Sequence, residues 1–198
     1  DVSDIDFGNF ELMTIAGVKF EDQDGDGVKG QGEPGLEGWT IQLDLDADDS
    51  VDLTTQTAAD GSYSFADVGP GTHRIREVLQ QGWTPTTADP PDIVTTSGAD
   101  VSDIDFGNFE LVTVAGVKFE DEDGDGERDA GEPGLEGWTI QLQDGNGQLI
   151  TTATTEVNGD YGFDDLGPGT YRVREVLQQG WTQTTAAPSD IVTTSGDD

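Results

Sequence analysis

Asp22, Asp24, Asp26 and Glu33 put four carboxylates on one short stretch, three of them on alternate residues, and Gly27 follows the third. The arrangement returns as Asp121, Asp123, Asp125, Gly126 and Glu132. Acidic side chains at positions 1, 3 and 5, glycine at 6 and glutamate at 12 follow the loop pattern D-x-[DN]-x-[DN]-G-x5-E, which holds a hard divalent cation. Such an ion takes about six to eight oxygens; the aspartates supply three, a backbone carbonyl at position 7 a fourth and the glutamate two more. Position 7 is Val28 in the first copy and Glu127 in the second. The glycine permits the sharp turn. Without an ion the carboxylates repel each other, so calcium is the expected cofactor and the expected means of ordering the loop. A solvated acidic turn is the plain alternative, and two copies matching at every defining position weigh against it.

The elements that must hold these loops are strands. Residues 1–43 align with 100–142, and 63–98 with 161–196, so one residue is lost in the variable segment that follows Leu43 and Leu142. Variation there predicts a surface hairpin. A period near 100 residues is a whole domain, far longer than a solenoid unit. Within each copy, runs such as TIAGVKF, GWTIQLDL, GSYSFADV, THRIREVL and DIVTTSG are rich in β-branched and aromatic residues. Turn residues bound them, as in Glu33-Pro34-Gly35, Asp60-Gly61 and Gly69-Pro70-Gly71. No window has a helical period, so the loop joins strands, unlike an EF-hand. About seven strands in roughly 100 residues predict an all-β chain of tandem antiparallel β-sandwiches of immunoglobulin type.

Composition narrows the function. With 42 Asp plus Glu against 8 Lys plus Arg the formal net charge is −34, which excludes roles needing affinity for nucleic acid or anionic lipid. Trp, Phe and Tyr at regular intervals argue for packed cores rather than an acidic tail. The chain has no cysteine, which removes disulfides and thiolate metal sites. No apolar run reaches a membrane span and no signal peptide opens the sequence, so a mature fragment or interior piece is expected. Nucleophile elbow, phosphate loop and zinc pattern are missing, and the carboxylates crowd into loops rather than facing each other across a cleft, so no enzyme is expected. Trp39, Trp83, Trp138 and Trp181 read as packing residues. Arg74, Arg76, Arg172 and Arg174 alternate along a strand and are expected to pair with neighbouring acids, while His73, replaced by Tyr171 in the second copy, belongs to no shared metal site.

GVKFEDQDGDGVKGQGEPGLEGWTIQL, GSYSFADVGPGTHRIREVLQQGW and SDIDFGNF together resemble the calcium-binding B-type repeats of serine-aspartate-repeat surface adhesins, which are related to B-type domains of collagen adhesins and pilins. The resemblance spans essentially the whole chain, twice. It implies immunoglobulin-like or prealbumin-like sandwiches strung outside the cell, each holding several calcium ions. Asp44, Asp46, Asp48 and Asp60, with Asp144, Asn158 and Asp160, are then further ligand candidates, or equally ordinary turn residues. In the collagen-adhesin-like and pilin-like domains a first-strand lysine joins a last-strand asparagine or aspartate as an isopeptide, assisted by a glutamate from a middle strand. The matching positions are Lys19, Glu77 and Asn108; Lys118 and Glu175 repeat two of them, and Asn9 precedes the first copy.

The repeat has two readings. If VSDIDFGNF closes the preceding sandwich, residues 10–109 form the first sandwich, 110–198 a second that lacks its last strand, and 1–9 a strand that completes a neighbouring repeat. The other phase gives a self-contained pair. The first is preferred, and it implies strand donation between repeats or subunits. The expected function is a calcium-rigidified structural module of an extracellular stalk or beaded fibre, whose partners are neighbouring copies of the same repeat or chain. A ligand-binding adhesin module for a host protein or glycan is the alternative.

Overall fold

Period-two alternation along each strand leaves one face apolar, and two such faces must close on each other. The computed structural model describes residues 5–197, and no helix occurs among them. The chain divides into two compact units, residues 1–109 and 110–198.

The first unit contains β1 (Met13–Glu21), β2 (Thr40–Asp44), β3 (Leu53–Gln56), β4 (Ser62–Val68), β5 (Gly71–Glu77), β6 (Trp83–Pro85), β7 (Ile93–Thr95) and β8 (Phe106–Glu110). One sheet has the order β4-β1-β8-β6, the other β3-β2-β5-β7. Their inner faces meet in a core of Met13, Ile15, Ile41, Leu43, Phe65 and Ile75, with Tyr63 and Phe106 beside them. The variable segment forms the β2–β3 hairpin, paired from Thr40 opposite Gln56 to Leu43 opposite Leu53, and its tip is exposed.

An all-antiparallel sandwich is corrected at one place. β1 pairs with β8 in parallel, with Lys19 opposite Phe106, Phe20 opposite Gly107 and Glu21 opposite Asn108. The approach to β8 follows β1 from Val101 onward: Val101 N donates to Thr14 O at 2.9 Å and Ala16 N to Val101 O at 2.9 Å. Asp103 turns through a positive φ of 63°, shifting the register before β8 begins. Gly17 allows this proximity, because a Cβ there would stand 1.8 Å from the Ile104 carbonyl oxygen.

The second unit contains β9 (Val112–Val117), β10 (Thr139–Asp144), β11 (Leu149–Thr154), β12 (Asp160–Leu166), β13 (Thr170–Glu175) and β14 (Ile191–Val192). Its sheets are β11-β10-β13-β14 and the two-stranded β12-β9. Among the described residues this smaller sheet has no counterpart of β8 or β6.

Candidate functional site

In the first unit the metal-type loop follows β1, the strand that carries the buried Lys19; in the second it follows Lys118, which lies just past the end of β9. In the first unit Asp22 is fully buried, and its carboxylate accepts from the amides of Gly25 at 2.7 Å, Asp26 at 3.1 Å and Gly27 at 2.7 Å. Glu33 closes the far end by accepting from Gln23 N at 2.9 Å and Gly30 N at 2.7 Å. Asp22 N donates to Asn108 O at 2.8 Å, which ties the loop to β8. Oxygens of Asp22, Asp24 and Glu33 converge to within 4.8 Å of one another. This set of hard oxygens suits a divalent cation of the calcium class. Asp26 stands outside that cluster and accepts from Val28 N at 2.7 Å.

The second loop repeats the geometry with Asp121, Asp123 and Glu132, and Asp125 enters an overlapping cluster with Asp123 and Asp129. Glu127 donates its amide to Asp125, as Val28 does to Asp26. The Thr184 side chain and the amides of Gly126 and Gly124 hold Asp121 below the usual carboxylate range against the effect of burial. Asp123 lies above that range: the Asp125 amide lowers it, but repulsion from Asp125, burial and the charges of Asp121 and Asp129 outweigh that bond. Asp129 and Thr184 were missing from the sequence-based set. Asp129 is position 9 of the loop pattern, a recognised ligand position, and was therefore readable; Thr184 lies too far along the chain for any spacing rule.

A third cluster joins Asp44, Asp46 and Asp48 at the β2–β3 turn. Repulsion from Asp48, then burial and Asp44, raise Asp46. Asp60 lies elsewhere, bonded to Ser62 N at 3.0 Å and Ser62 Oγ at 2.6 Å, an ordinary turn. Asp144 likewise accepts from Asn146 N and Gln148 N, and Asn158 donates to Asp160.

β1, β5 and β8 bring Lys19, Glu77 and Asn108 together. Lys19 is fully buried; its Nζ lies 3.3 Å from Glu77 Oε2, donates to Phe106 O at 3.2 Å and sits 4.3 Å from the Trp39 ring centre. The approach to Glu77 has ion-pair length but poor hydrogen-bond angles, so Oε2 stays without a bonded partner. Burial lowers the Lys19 ammonium to about 8 despite the opposing pull of Glu77. Burial also raises Glu77, against Lys19 and the nearby Asn108 amide. Asn108 is fully buried, and neither Nδ2 nor Oδ1 has a hydrogen-bond partner. A buried amide left without a partner costs about 1–3 kcal/mol per orphaned group.

In the second unit Lys118 Nζ lies 3.0 Å from Glu175 Oε2 and 4.6 Å from the Trp138 ring centre, and Glu175 Oε1 is buried without a partner. No asparagine joins this pair among the described residues. Asn9 is exposed, in a stretch from Ile5 to Leu12 that forms no strand; residues 1–4, the start of the expected donor segment, lie outside the described residues.

Trp39 and Trp138 are buried, each meeting its partner, Trp83 or Trp181, edge to face. Arg74 pairs with Asp92 and Asp49, Arg76 with Asp89 and Arg172 with Asp190. Arg174 departs from that pattern and donates to the carbonyls of Val173 and Pro188. His73 is buried between Leu45 O, Gly69 O and Thr95 Oγ1, in no acidic cluster.

The model of the SdrD B-like domain matches residues 13–116 and again 112–197. The chain belongs to the SdrD B-like domain family. Serine-aspartate repeat-containing protein D of Staphylococcus aureus (strain Newman) is 33% identical over 178 residues, covering 83% of this chain and 14% of that protein. Serine-aspartate repeat-containing protein F of Staphylococcus epidermidis (strain ATCC 12228 / FDA PCI 1200) is 33% identical over 200 residues, covering 94% of this chain and 12% of that protein. The SdrD B-like pair thus spans about a seventh of the curated relatives it matches. A streptococcal ancillary pilin aligns over 94% of this chain and 59% of its own, with 18% identity and a TM-score of 0.43. The shaft pilin SpaA of Lactobacillus rhamnosus GG aligns over 93% and 94%, with 15% identity and a TM-score of 0.38. As SdrD B-like domains, the two units are structural repeats of a cell-surface protein and lie outside the cell.

Proposed function

We propose that the chain is a calcium-rigidified structural module of an extracellular stalk or beaded fibre, in which neighbouring repeats or subunits associate by strand donation and a lysine–asparagine bond closes the first unit. The observation that carries this reading is the convergence of Asp22, Asp24 and Glu33, and of Asp121, Asp123 and Glu132, at loops whose own amides already hold the carboxylates in a turn. Bound calcium neutralises these carboxylates and ties the loop ends together. Asp22 carries that order to β8 through its bond to Asn108 O.

Closure of the first unit follows from its buried trio. Lysine attacks only as the neutral amine, which burial favours for Lys19. Glu77, inclined to keep its proton, polarises the Asn108 carbonyl. The Nζ–Cγ bond forms and the Cγ–Nδ2 bond breaks; Glu77 takes the Nζ proton and passes one to Nδ2, which leaves as ammonia. No electrons change hands and no cofactor is consumed.

Isothermal titration with calcium, before and after exhaustive chelation, tests the first part. Binding with at least one ion per unit is expected, and loss of the first unit's share in Asp22→Ala. A heat-silent titration would leave the acidic loops as solvated turns and overturn the reading.

A further inference from the structure

We propose that the acidic loop of the first unit is the positioning device for that unit's cross-link: once ordered, the loop fixes Asn108 for reaction with Lys19, so the lysine–asparagine bond forms in calcium and not in chelator, and outlasts calcium once made. This rests on the reading above and adds its regulation.

Of the three reacting groups, Asn108 is the one held through the loop. Lys19 is fixed from β4: its amide donates to Gly61 O at 2.8 Å, and Val18 before it pairs with Ser62. Glu77 is fixed from β2, opposite Ile41, with Val78 N donating to Thr40 O at 2.9 Å. Phe106 and Phe109 are buried and seat β8. The Asn108 side chain between them makes no hydrogen bond at either polar atom, so backbone bonds at residues 107 and 108 set where its amide stands.

Those bonds lead to the loop by two routes. On one side Asn108 O accepts from the amide of Asp22, the loop's first carboxylate residue, at 2.8 Å. On the other, Gly107 O accepts from Thr86 N at 2.9 Å, and Gly107 N donates to Thr87 Oγ1 at 3.0 Å. Thr86 in turn lies against the loop glycine: a Cβ on Gly27 would stand 3.1 Å from Thr86 O, and Gly27 N donates to Asp22 Oδ2 at 2.7 Å. The contact recurs in the second unit, where a Cβ on Gly126 would stand 3.3 Å from Thr184 O and the Thr184 side chain bonds to Asp121. In the first unit Thr86 Oγ1 is buried without a partner. A closed circuit therefore runs from Asp22 through Gly27, Thr86 and Gly107 to Asn108 and back to Asp22.

The circuit holds only while the loop is ordered. Oxygens of Asp22, Asp24 and Glu33 converge to within 4.8 Å of one another, and like charges so close oppose each other unless they share a cation, for which this all-oxygen set is suited. In chelator the loop opens locally while the core strands stay paired. Amide formation needs the reacting atoms about 3–3.5 Å apart, and a misplacement of about 1 Å costs about 100-fold in rate. With the loop ordered, Lys19 Nζ bonds to Asn108 Cγ and the Cγ–Nδ2 bond breaks; Glu77 relays the proton from Nζ to Nδ2, which departs as ammonia. The bond itself holds no metal, so chelation does not reopen it.

The test makes the full chain by cell-free synthesis in chelator, adds calcium, quenches aliquots in acid and reads intact mass. Loss of about 17 Da, the mass of ammonia, should run about 100-fold faster in calcium than in chelator and persist after calcium is withdrawn, with digestion placing the bond between Lys19 and Asn108. Asp24→Ala removes one converging oxygen and keeps the Asp22 turn, so it should raise the calcium needed for half-maximal rate; Glu77→Gln should bind calcium and lose no ammonia. Hydrogen exchange of the parent chain in chelator should find β2 and β5 protected and residues 22–33 and 106–108 open, all closing in calcium. Equal rates in the two media, with calcium bound, would overturn the inference while sparing both the calcium and the bond. No ammonia lost in either medium would overturn it together with the bond, and a heat-silent calcium titration would overturn it together with the calcium reading. A calcium effect undiminished in Asp24→Ala, or β2 and β5 opening along with the loop, would also overturn it, by placing the control outside this loop or in folding as a whole.

Discussion

Replacing Lys19 and Glu77 together by methionine distinguishes a covalent first unit from a merely ion-paired one, because the two predict opposite signs. For an unbonded buried pair, exchange for apolar residues of similar volume is neutral or stabilising by about 1–4 kcal/mol. For a bonded pair the exchange opens a loop of 90 residues, from 19 to 108. By the closure entropy that describes disulfides, that loop contributes about 4–5 kcal/mol. At an unfolding entropy of roughly 2.1 cal/mol/K per residue, a unit of this size should then melt about 20 °C lower. Calorimetry in saturating calcium reads the shift, and the second unit, which keeps Lys118 and Glu175, serves as the internal reference. Denaturing mass spectrometry of the parent chain should show the loss of ammonia, absent from the variant. A first-unit transition that stays or rises, with an unshifted parent mass, would refute the bond.

The two roles of a loop carboxylate separate by residue. Asp22→Ala should destabilise the first unit by about 3 kcal/mol or more even in chelator, since it strands three amides in a buried turn, whereas Asp24→Ala should weaken calcium binding and leave chelated stability nearly unchanged; urea unfolding with and without calcium checks both. In Asn108→Ala, which cannot form the bond, Lys19 keeps a folded value of about 8 against 10.5 unfolded. The unfolded chain then holds the extra proton between those limits, so stability should rise with pH from about 8 to 10.5, and the slope should vanish when Lys19→Met is added. Gly17→Ala should cost about 3 kcal/mol or more by driving a Cβ into the Ile104 carbonyl, seen as a lowered urea midpoint for the first unit alone.

Part of each acidic cluster was legible because a single turn fixes local spacing: Asp22, Asp24 and Glu33 converge, as do Asp121, Asp123 and Glu132, whereas Asp26 stands apart and Asp129 was not read. Strand existence was legible from alternation, but strand direction was not: the pattern of Phe106–Glu110 is the same whether it runs with β1 or against it. Lys19, Glu77 and Asn108 came from resemblance alone, since residues this far apart leave no periodic trace. The sequence could not separate Lys19 from Lys118. GVKF is identical in both copies, and the difference in burial depends on whether a strand from residues 101–109 lies alongside. Asp26 and Asp125 occupy equivalent places, yet only Asp125 joins a cluster, because Asp129 replaces Gly30.

The parallel pairing of β1 and β8 has a mechanical consequence. The first unit begins at one end of this strand pair and leaves at the other, so tension between its ends shears β1 along β8. Hydrogen bonds in shear share the load, whereas those of a hairpin opened from its free end give way in turn. A bond from Lys19 to Asn108 would short-circuit even this arrangement. Tension would pass from β1 through the cross-link into the last residues of β8, and the intervening chain, with its core and its calcium-type loop, would carry no load at all.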